Sequence, residues 1–423
     1  MKTTTALQKG LSDEELLDLV QRQTFRYFWE GAHPVSGLAR DRSNRFSDPS
    51  DDAIAIGGSG FGIMTIIVAC ERGWVRREEA LERLNSMLNV LDKSTCYHGM
   101  YPHFMNGSTG ATIPFSRKDD GGDVVETSFL FQGLLCARAY FDRDSSDELR
   151  FRQRITYLWE EVEWNWYTQG GRNVLTWHWS PTNGFALNHD IRGWNECLIT
   201  YVLATSAPRY GISPHAYHEG FTQGRQFLNK RIFEGIELPL GSDWGGPLFL
   251  AHFSFGSIDP RGLSDAYADY WLQNVNHTLI NYVYCLRNPN NYKSYGPNCW
   301  GLSAGDAVNG YAASAPDNDL GVINPSAALS SFCYAPEQAM AALRHFYEDL
   351  GDRLWGRFGF VDGFSPQHDW YADTFLAISQ APIIIMIENY RSGLLWKLFM
   401  GIPEIQEGMK KLGFKSPHFS SVA

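Results

Sequence analysis

Three acidic clusters in this 423-residue chain each stand at the start of an unusually apolar, helix-like run: Asp119-Asp120-Gly121-Gly122-Asp123-Val124-Val125-Glu126, Trp194-Asn195-Glu196 and Asp369-Trp370-Tyr371-Ala372-Asp373. Carboxyl pairs do glycoside hydrolysis: one protonated carboxyl gives its proton to the leaving oxygen, and a carboxylate acts as nucleophile or activates water. Glu196 is the only acid between Gly193 and Thr205. Its apolar neighbours raise a carboxyl toward the range of a general acid, although a helix N-terminus works the other way. Asp362, Asp369 and Asp373 are the candidates for the base, against the plainer reading of Asp as a turn or cap residue. Asp123 and Glu126 lie one helical turn apart with Asp119 just upstream, so they could line one wall of a pocket; the plain alternative is helix capping.

Sugar rings stack on aromatic faces while their hydroxyls bind fixed polar groups. The chain is 14% aromatic with 14 Trp, more than packing ordinarily demands. Tyr101, His103, Trp177, Trp194, Trp244, Trp300 and the loop acid Asp306 are therefore expected, with Asp119, Asp123 and Glu126, to contact substrate. Trp159, Trp164 and Trp166 read as packing residues. The His residues at 98, 103, 178, 189 and 252 show no H-x-x-x-H or H-E-x-x-H spacing, and the seven Cys are scattered. No metal, cofactor or disulfide framework is expected. A nucleophile elbow is absent, and Gly57-Gly58-Ser59-Gly60-Phe61-Gly62 lacks the G-K-[ST] of a phosphate loop, so it reads as a loop that brings a helix start close to its neighbours. A net charge of −11 argues against nucleic acid or an anionic membrane as partner. The expected partner is a glucan or oligosaccharide, bound by a monomer. Residues Met1 to Lys9 lack the apolar core of a signal peptide, which leaves the compartment open between cytoplasm and periplasm.

The elements that must position these groups are helical. Ser12 and Glu15 form a capping box at the head of a helix over 12–31, and the periodicity predicts further helices at about 58–72, 77–92, 124–141, 146–163, 192–206, 213–229, 247–255, 264–287, 325–332, 336–350 and 373–391. Amphipathic segments such as 77–92 and 146–163 alternate with segments apolar nearly all round, 58–69, 127–137, 197–205 and 374–387, which must be buried on every side yet are too short to cross a bilayer. Such alternation is that of an all-α (α/α)6 barrel: inner helices run parallel and outer ones return the chain. All inner N-termini then share one loop-rich mouth. No linker-like stretch interrupts residues 1–423, so a single domain is expected.

Five ordered motifs carry a resemblance over nearly the whole chain: Tyr101-Pro102-His103-Phe104, the Asp119/Asp123/Glu126 run, Trp194-Asn195-Glu196, Trp300-Gly301-Leu302 through Gly310-Tyr311, and Gln380-Ala381-Pro382-Ile383 through Glu388-Asn389-Tyr390-Arg391. Together they resemble the bacterial glucoamylase-like family, glycoside hydrolase family 144. The resemblance implies an (α/α)6 fold and inverting hydrolysis of β-1,2-glucan to sophorose or short sophoro-oligosaccharides. It also implies that Asp119, Asp123, Glu126 and Glu196 form the essential acidic set, with Glu196 the general acid and a further Asp, 362 or 373, near the last inner helix. One departure is Ile378-Ser379-Gln380-Ala381-Pro382, where family members commonly carry Asp in an Ile-Asp-Gln-Gly-Pro-like stretch. If that Asp is the family base, the mechanism here is altered or lost. The residues alone also allow an α-glucan glucohydrolase on the same barrel, or a protein that binds a glycan without cleaving it.

Overall fold

The computed structural model describes residues 7–47 and 52–419. Its helices are α1 (Asp13–Trp29), α2 (Ile56–Glu71), α3 (Arg77–Leu91), α4 (Val124–Tyr140), α5 (Ser146–Glu160), α6 (Leu198–Ser206), α7 (Tyr270–Arg287), α8 (Pro325–Leu329), α9 (Pro336–Arg344), α10 (Gly351–Leu354), α11 (Ala377–Arg391), α12 (Leu394–Met400) and α13 (Pro403–Lys411). The capping box at α1 forms as expected, the Glu15 N–H donating to Ser12 Oγ and the Ser12 N–H to Glu15 Oε2. Helices α2, α4, α6 and α11 are buried nearly all round, whereas α3, α5 and α13 bury one stripe. The chain alternates between the two kinds, and the architecture is an (α/α)6 barrel. The 3-10 turns Leu248–Ala251 and Ser254–Gly256 take the inner position between α6 and α8.

Glycine sets the tightest of the inner contacts. A Cβ on Gly60 of α2 would stand 2.0 Å from the Phe129 carbonyl of α4, and one on Gly133 of α4 would stand 2.0 Å from the Gly60 carbonyl. The Gly57–Gly62 run, expected as a loop at the start of a helix over 58–72, is already helical and forms the N-terminal part of α2. Glycine there costs about 1 kcal/mol of helix propensity per residue, offset by the close backbone packing it permits. The expected helix at 213–229 is instead a π turn at Ala216–Phe221, a 3-10 turn broken by Gly224 at φ 59°, and the first strand of the hairpin Leu228–Phe233/Ile236–Leu240. Helices α12 and α13 lie beyond the last expected segment; each is short, so periodicity gives little signal.

Short antiparallel pairs gather at one end of the barrel and fix the residues that lead into the inner helices. Arg42–Asn44 pairs with Thr374–Leu376 ahead of α11; Gly122–Asp123 pairs with His178–Trp179 ahead of α4; Ala304–Ala307 pairs with Gly310–Ala313, setting Asp306 opposite Tyr311. One apolar core runs from Leu16 to Phe414, with a small satellite of Phe233, Leu238 and Ile280 under the 228–240 hairpin. Among the described residues no helix is long and apolar enough to cross a membrane.

Candidate active site

The inner N-termini meet at a cavity of about 180 Å³. Its wall takes Glu126 and Phe129 from α4, Glu196 from the threshold of α6, His252 from the 3-10 segment, Ser326 and Ser330 from α8, and Ser379 and Pro382 from α11, with His103, Trp177 and Tyr311 supplied by loops. The first turn of α2 takes part through its backbone, the Gly57 N–H donating to Glu126 Oε2 at 2.7 Å.

Asp123 caps α4, its Oδ1 accepting from the N–H groups of Val125 and Glu126 at 2.9 Å each and from Trp177 Nε1 at 3.1 Å. The capping and pocket readings of this acid are thus both realised, because cap and wall are one position. His103 Nδ1 lies 3.3 Å from Asp123 Oδ2, and its Nε2 lies 4.0 Å from Glu126 Oε1. Burial opposes charge on this ring, but Glu126, Asp123 and Asp119 outweigh it and push the imidazole up to about 10. Asp123 is held below the usual carboxylate range: burial works against ionisation, and His103, His178 and the Glu126 N–H prevail. Burial, with repulsion from Asp123, pushes Glu126 up to about 7 and Asp119 to about 6.

Glu196 sits where the chain turns into α6. The Asn195 side chain accepts the Cys197 N–H at 2.9 Å, and Ser254 Oγ bridges the turn by donating to the Glu196 carbonyl while accepting the Ile199 N–H. With the backbone so fixed, the Glu196 carboxyl lies on the cavity wall. Burial raises its pKa, repulsion from Asp123 adds to that, and its own N–H opposes. A carboxyl whose pKa is raised beside a cavity is shifted toward the role of a proton donor to a departing oxygen.

Asp362 is 1% exposed. Its Oδ2 accepts the Asp306 N–H at 2.6 Å, and its own N–H donates to the Thr374 carbonyl at 3.0 Å. Burial pushes this carboxyl up to about 7, the nearby Ser379 hydroxyl and the Asp306 N–H pulling against it.

A family model described as "Putative glucoamylase" matches residues 188–403, about half of the chain. An endo-β-1,2-glucanase from Chitinophaga pinensis, solved with sophorotriose and glucose, is 48% identical and superposes with a TM-score of 0.95 over 97% of this chain and 100% of that one. The chain belongs to the glucoamylase-like family, glycoside hydrolase family 144. The exo β-1,2-glucooligosaccharide sophorohydrolase (non-reducing end) of Parabacteroides distasonis is 43% identical over 97% of this family member, which spans 59% of that relative's length. An endo-β-1,2-glucanase from Talaromyces funiculosus, 11% identical with a TM-score of 0.65 over 95% of this chain and 88% of that one, shares the fold.

Within this glucoamylase-like protein the expected site residues divide. His103, Glu126, Trp177 and Glu196 line the cavity; Asp123 binds the first three from behind, and Asp119 stands beside His178, with His178 Nε2 3.5 Å from Asp119 Oδ2. Asp306 joins Asp362 through its N–H and binds Thr374 Oγ1 and Arg42 with its carboxylate. Four expected contacts and one candidate base face elsewhere. Trp300 is fully buried, its Nε1 donating to the Gln338 carbonyl; Tyr101 is buried with its hydroxyl toward the Leu91 carbonyl. Trp194 packs among Phe227, Phe255 and Tyr270, and Trp244 against Phe233 and Tyr284. Asp373 is exposed, outside the cavity wall, and its carbonyl accepts the Arg45 N–H.

Two groups at the mouth were not among the expected site residues, although Tyr311 closes one of the five motifs. Asp41 is brought in by its carbonyl, which accepts the Ala377 N–H at the head of α11; burial raises its carboxyl, and it repels Glu126. Tyr311 comes on the 304–313 hairpin, 54% exposed yet part of the cavity wall. The ligand atoms of Asp119, Asp123 and His178 lie within 4.8 Å of one another, a grouping that cations use. Spacing hid it because His178 arrives on a different strand. Asp123 already accepts from two backbone amides and an indole, with His103 beside its other oxygen, so these residues are read as a hydrogen-bonded wall.

Proposed function

We propose that this protein hydrolyses β-1,2-linked glucan or its short oligosaccharides with inversion, Glu196 acting as general acid and Asp362 as general base. The observation that carries the reading is Glu196: a carboxyl on the cavity wall at an inner helix start, raised by burial and by a neighbouring acid, with no Lys or Arg on that wall. Asp362 rather than Asp373 takes the base role, because the first lies behind the wall near Ser379 and the second is exposed. The two characterised relatives differ in endo or exo action and share the β-1,2 linkage in their names; the linkage is what this reading takes from them. Trp177 and Tyr311 offer ring faces to the sugar, and His103 with the Asp119/Asp123/Glu126 group offers fixed hydrogen-bond partners.

The test is incubation with linear β-1,2-glucan, laminarin and starch, following new reducing ends, with NMR of the first-formed anomer. Release from β-1,2-glucan alone, appearing first as the α-anomer, is the expected result. Release from starch alone would move the protein to α-glucan chemistry. A β-anomer first would overturn inversion, and binding without release would make this a glycan-binding protein.

A further inference from the structure

Asp362 cannot touch a cavity water as the chain is folded. The carboxyl is almost fully buried and off the cavity wall, and Ser379, in the first turn of α11, lines that wall. One Asp362 oxygen is committed to the Asp306 N–H at 2.6 Å; the other, Oδ1, has no close partner. The Ser379 hydroxyl adjoins that carboxyl on one side and the cavity on the other. This juxtaposition is rigidly built. The Asp362 N–H is held by the Thr374 carbonyl, α11 begins where the Ala377 N–H binds the Asp41 carbonyl, and Gln380 Nε2 donates to the Phe360 carbonyl at 2.8 Å. The charged and titratable groups that act on Asp362 are Asp306, Arg42, Tyr311 and Tyr27; Asp41 and Glu196 stand beyond Tyr311, and Arg42 is shared by Asp41 and Asp306 at 3.4 Å each.

We infer that the Ser379 hydroxyl relays a proton from the attacking water to Asp362. The inference rests on the hydrolase reading above and deepens it. As the water oxygen bonds to the anomeric carbon, the bond from that carbon to the glycosidic oxygen breaks, and the departing oxygen takes the proton of Glu196. The water gives one proton to Ser379 Oγ, and Ser379 gives its own to Asp362 Oδ1. Glu196 ends ionised and Asp362 protonated; exchange with solvent after product release restores both. No further reactant is required. A serine placed so has a double advantage: its hydroxyl donates and accepts at once, and free N–H groups of the first turn of α11 stabilise negative charge that develops on it.

The experiment compares Ser379→Ala, Ser379→Thr, Asp362→Asn and the Ser379→Ala/Asp362→Asn double variant on β-1,2-glucan. Ser379→Ala is expected to lower kcat by ~10²-fold or more with KM within ~3-fold, the range of a lost proton-transfer group. Ser379→Thr, which keeps a hydroxyl, should recover activity to within ~10-fold of the wild type. The double variant should be no slower than Asp362→Asn alone, because two members of one relay fail together. An active wild type with Ser379→Ala within ~3-fold in kcat, or a double variant slower by the product of the two single losses, overturns the relay and leaves the hydrolase reading standing. A wild type that releases nothing from any glucan overturns the hydrolase reading, and the relay with it.

Discussion

Buried acids occur at both ends of this barrel, and the two ends treat them in opposite ways. At the end where the inner helices finish, each buried carboxylate has an arginine. Glu388, near the end of α11, is 1% exposed and paired with Arg72 at 2.8 Å, Glu148 at the head of α5 pairs with Arg77 at 2.8 Å, and Asp259 binds Arg261 and His418 at 2.8 Å each. Side-chain bonds from their arginines hold Glu148 and Asp259 below the usual carboxylate range, for Asp259 against its burial. At the mouth, Asp119, Glu126, Glu196 and Asp362 are raised instead, by burial first and then by a neighbouring acid, Asp123 for the first three and Asp306 for Asp362, with His103 the main cation beside the first two. One end uses acids to hold helices together; the other shifts these four toward neutrality, the direction that proton transfer requires.

The largest effect that separates the ends is on rate. Glu196→Gln is expected to lower kcat on β-1,2-glucan by ~10³-fold, about 4 kcal/mol of barrier, with the melting temperature unchanged to within ~2 °C. Steady-state kinetics and a thermal melt decide it; a variant within ~10-fold of wild type would remove Glu196 from the acid role. The mirror-image change at the other end is Arg72→Met. It leaves Glu388 buried with only Ser392 Oγ and a 3.4 Å contact from Gln21, so stability should fall by ~3 kcal/mol while kcat at low temperature stays within ~2-fold. A rate loss matching that of Glu196→Gln would erase the distinction between the ends.

What the sequence disclosed follows the same division. The (α/α)6 architecture was legible because inner helices buried on all sides leave long apolar runs, and Glu196 was legible because a lone acid at the edge of such a run belongs to no charged, solvent-facing stripe. Asp123 and Glu126 were legible as a pair because helical spacing alone puts them together. The partners that arrive across strand pairs were not. Asp41 reaches the mouth through a backbone bond to Ala377, and His178 meets Asp119 through pairing with Asp123; neither has a local pattern. Trp300 misled for the converse reason. A Trp in a glycine-rich loop has a ring that can face either way, and here its Nε1 finds the Gln338 carbonyl inside the core. The Gly57–Gly62 run was legible as a site of close approach, but that α4 is the element that approaches was not, because it lies about 70 residues on.

The pH dependence of stability sharpens the contrast further. Asp362 is pushed from 3.8 to about 7 on folding. A carboxyl raised in this way contributes stability that is complete below its unfolded pKa and is lost as pH rises through 7. Asp362→Asn keeps an acceptor for the Asp306 N–H and cannot ionise. It should therefore be more stable than wild type by ~2 kcal/mol at pH 8 and about equal at pH 4. Asp259 has the opposite sign: its pKa is lowered, so its contribution is present above the unfolded value and lost as pH falls, and Asp259→Asn should be destabilised at pH 8. Denaturant titrations at the two pH values read both. Equal gaps for Asp362→Asn at pH 4 and pH 8 would show that its carboxyl is not raised.

The smallest effect concerns the rim. Tyr311 is the mouth residue most exposed to solvent while still contributing to the cavity wall, and burial together with the charges of Asp362, Asp41, Asp306 and Glu196 drives its phenol well above the ordinary range. The phenol is thus a neutral hydrogen-bonding group set among four acids, on a ring with an open face. Tyr311→Ala removes that face and should raise KM for β-1,2-gluco-oligosaccharides by ~10-fold, about 1.4 kcal/mol, with kcat changed less than ~3-fold. Tyr311→Phe keeps the face and should stay within ~3-fold in KM. A kcat loss in Tyr311→Phe approaching that of Ser379→Ala would instead put the phenol in the proton path, because the ring is retained and only the hydroxyl has gone.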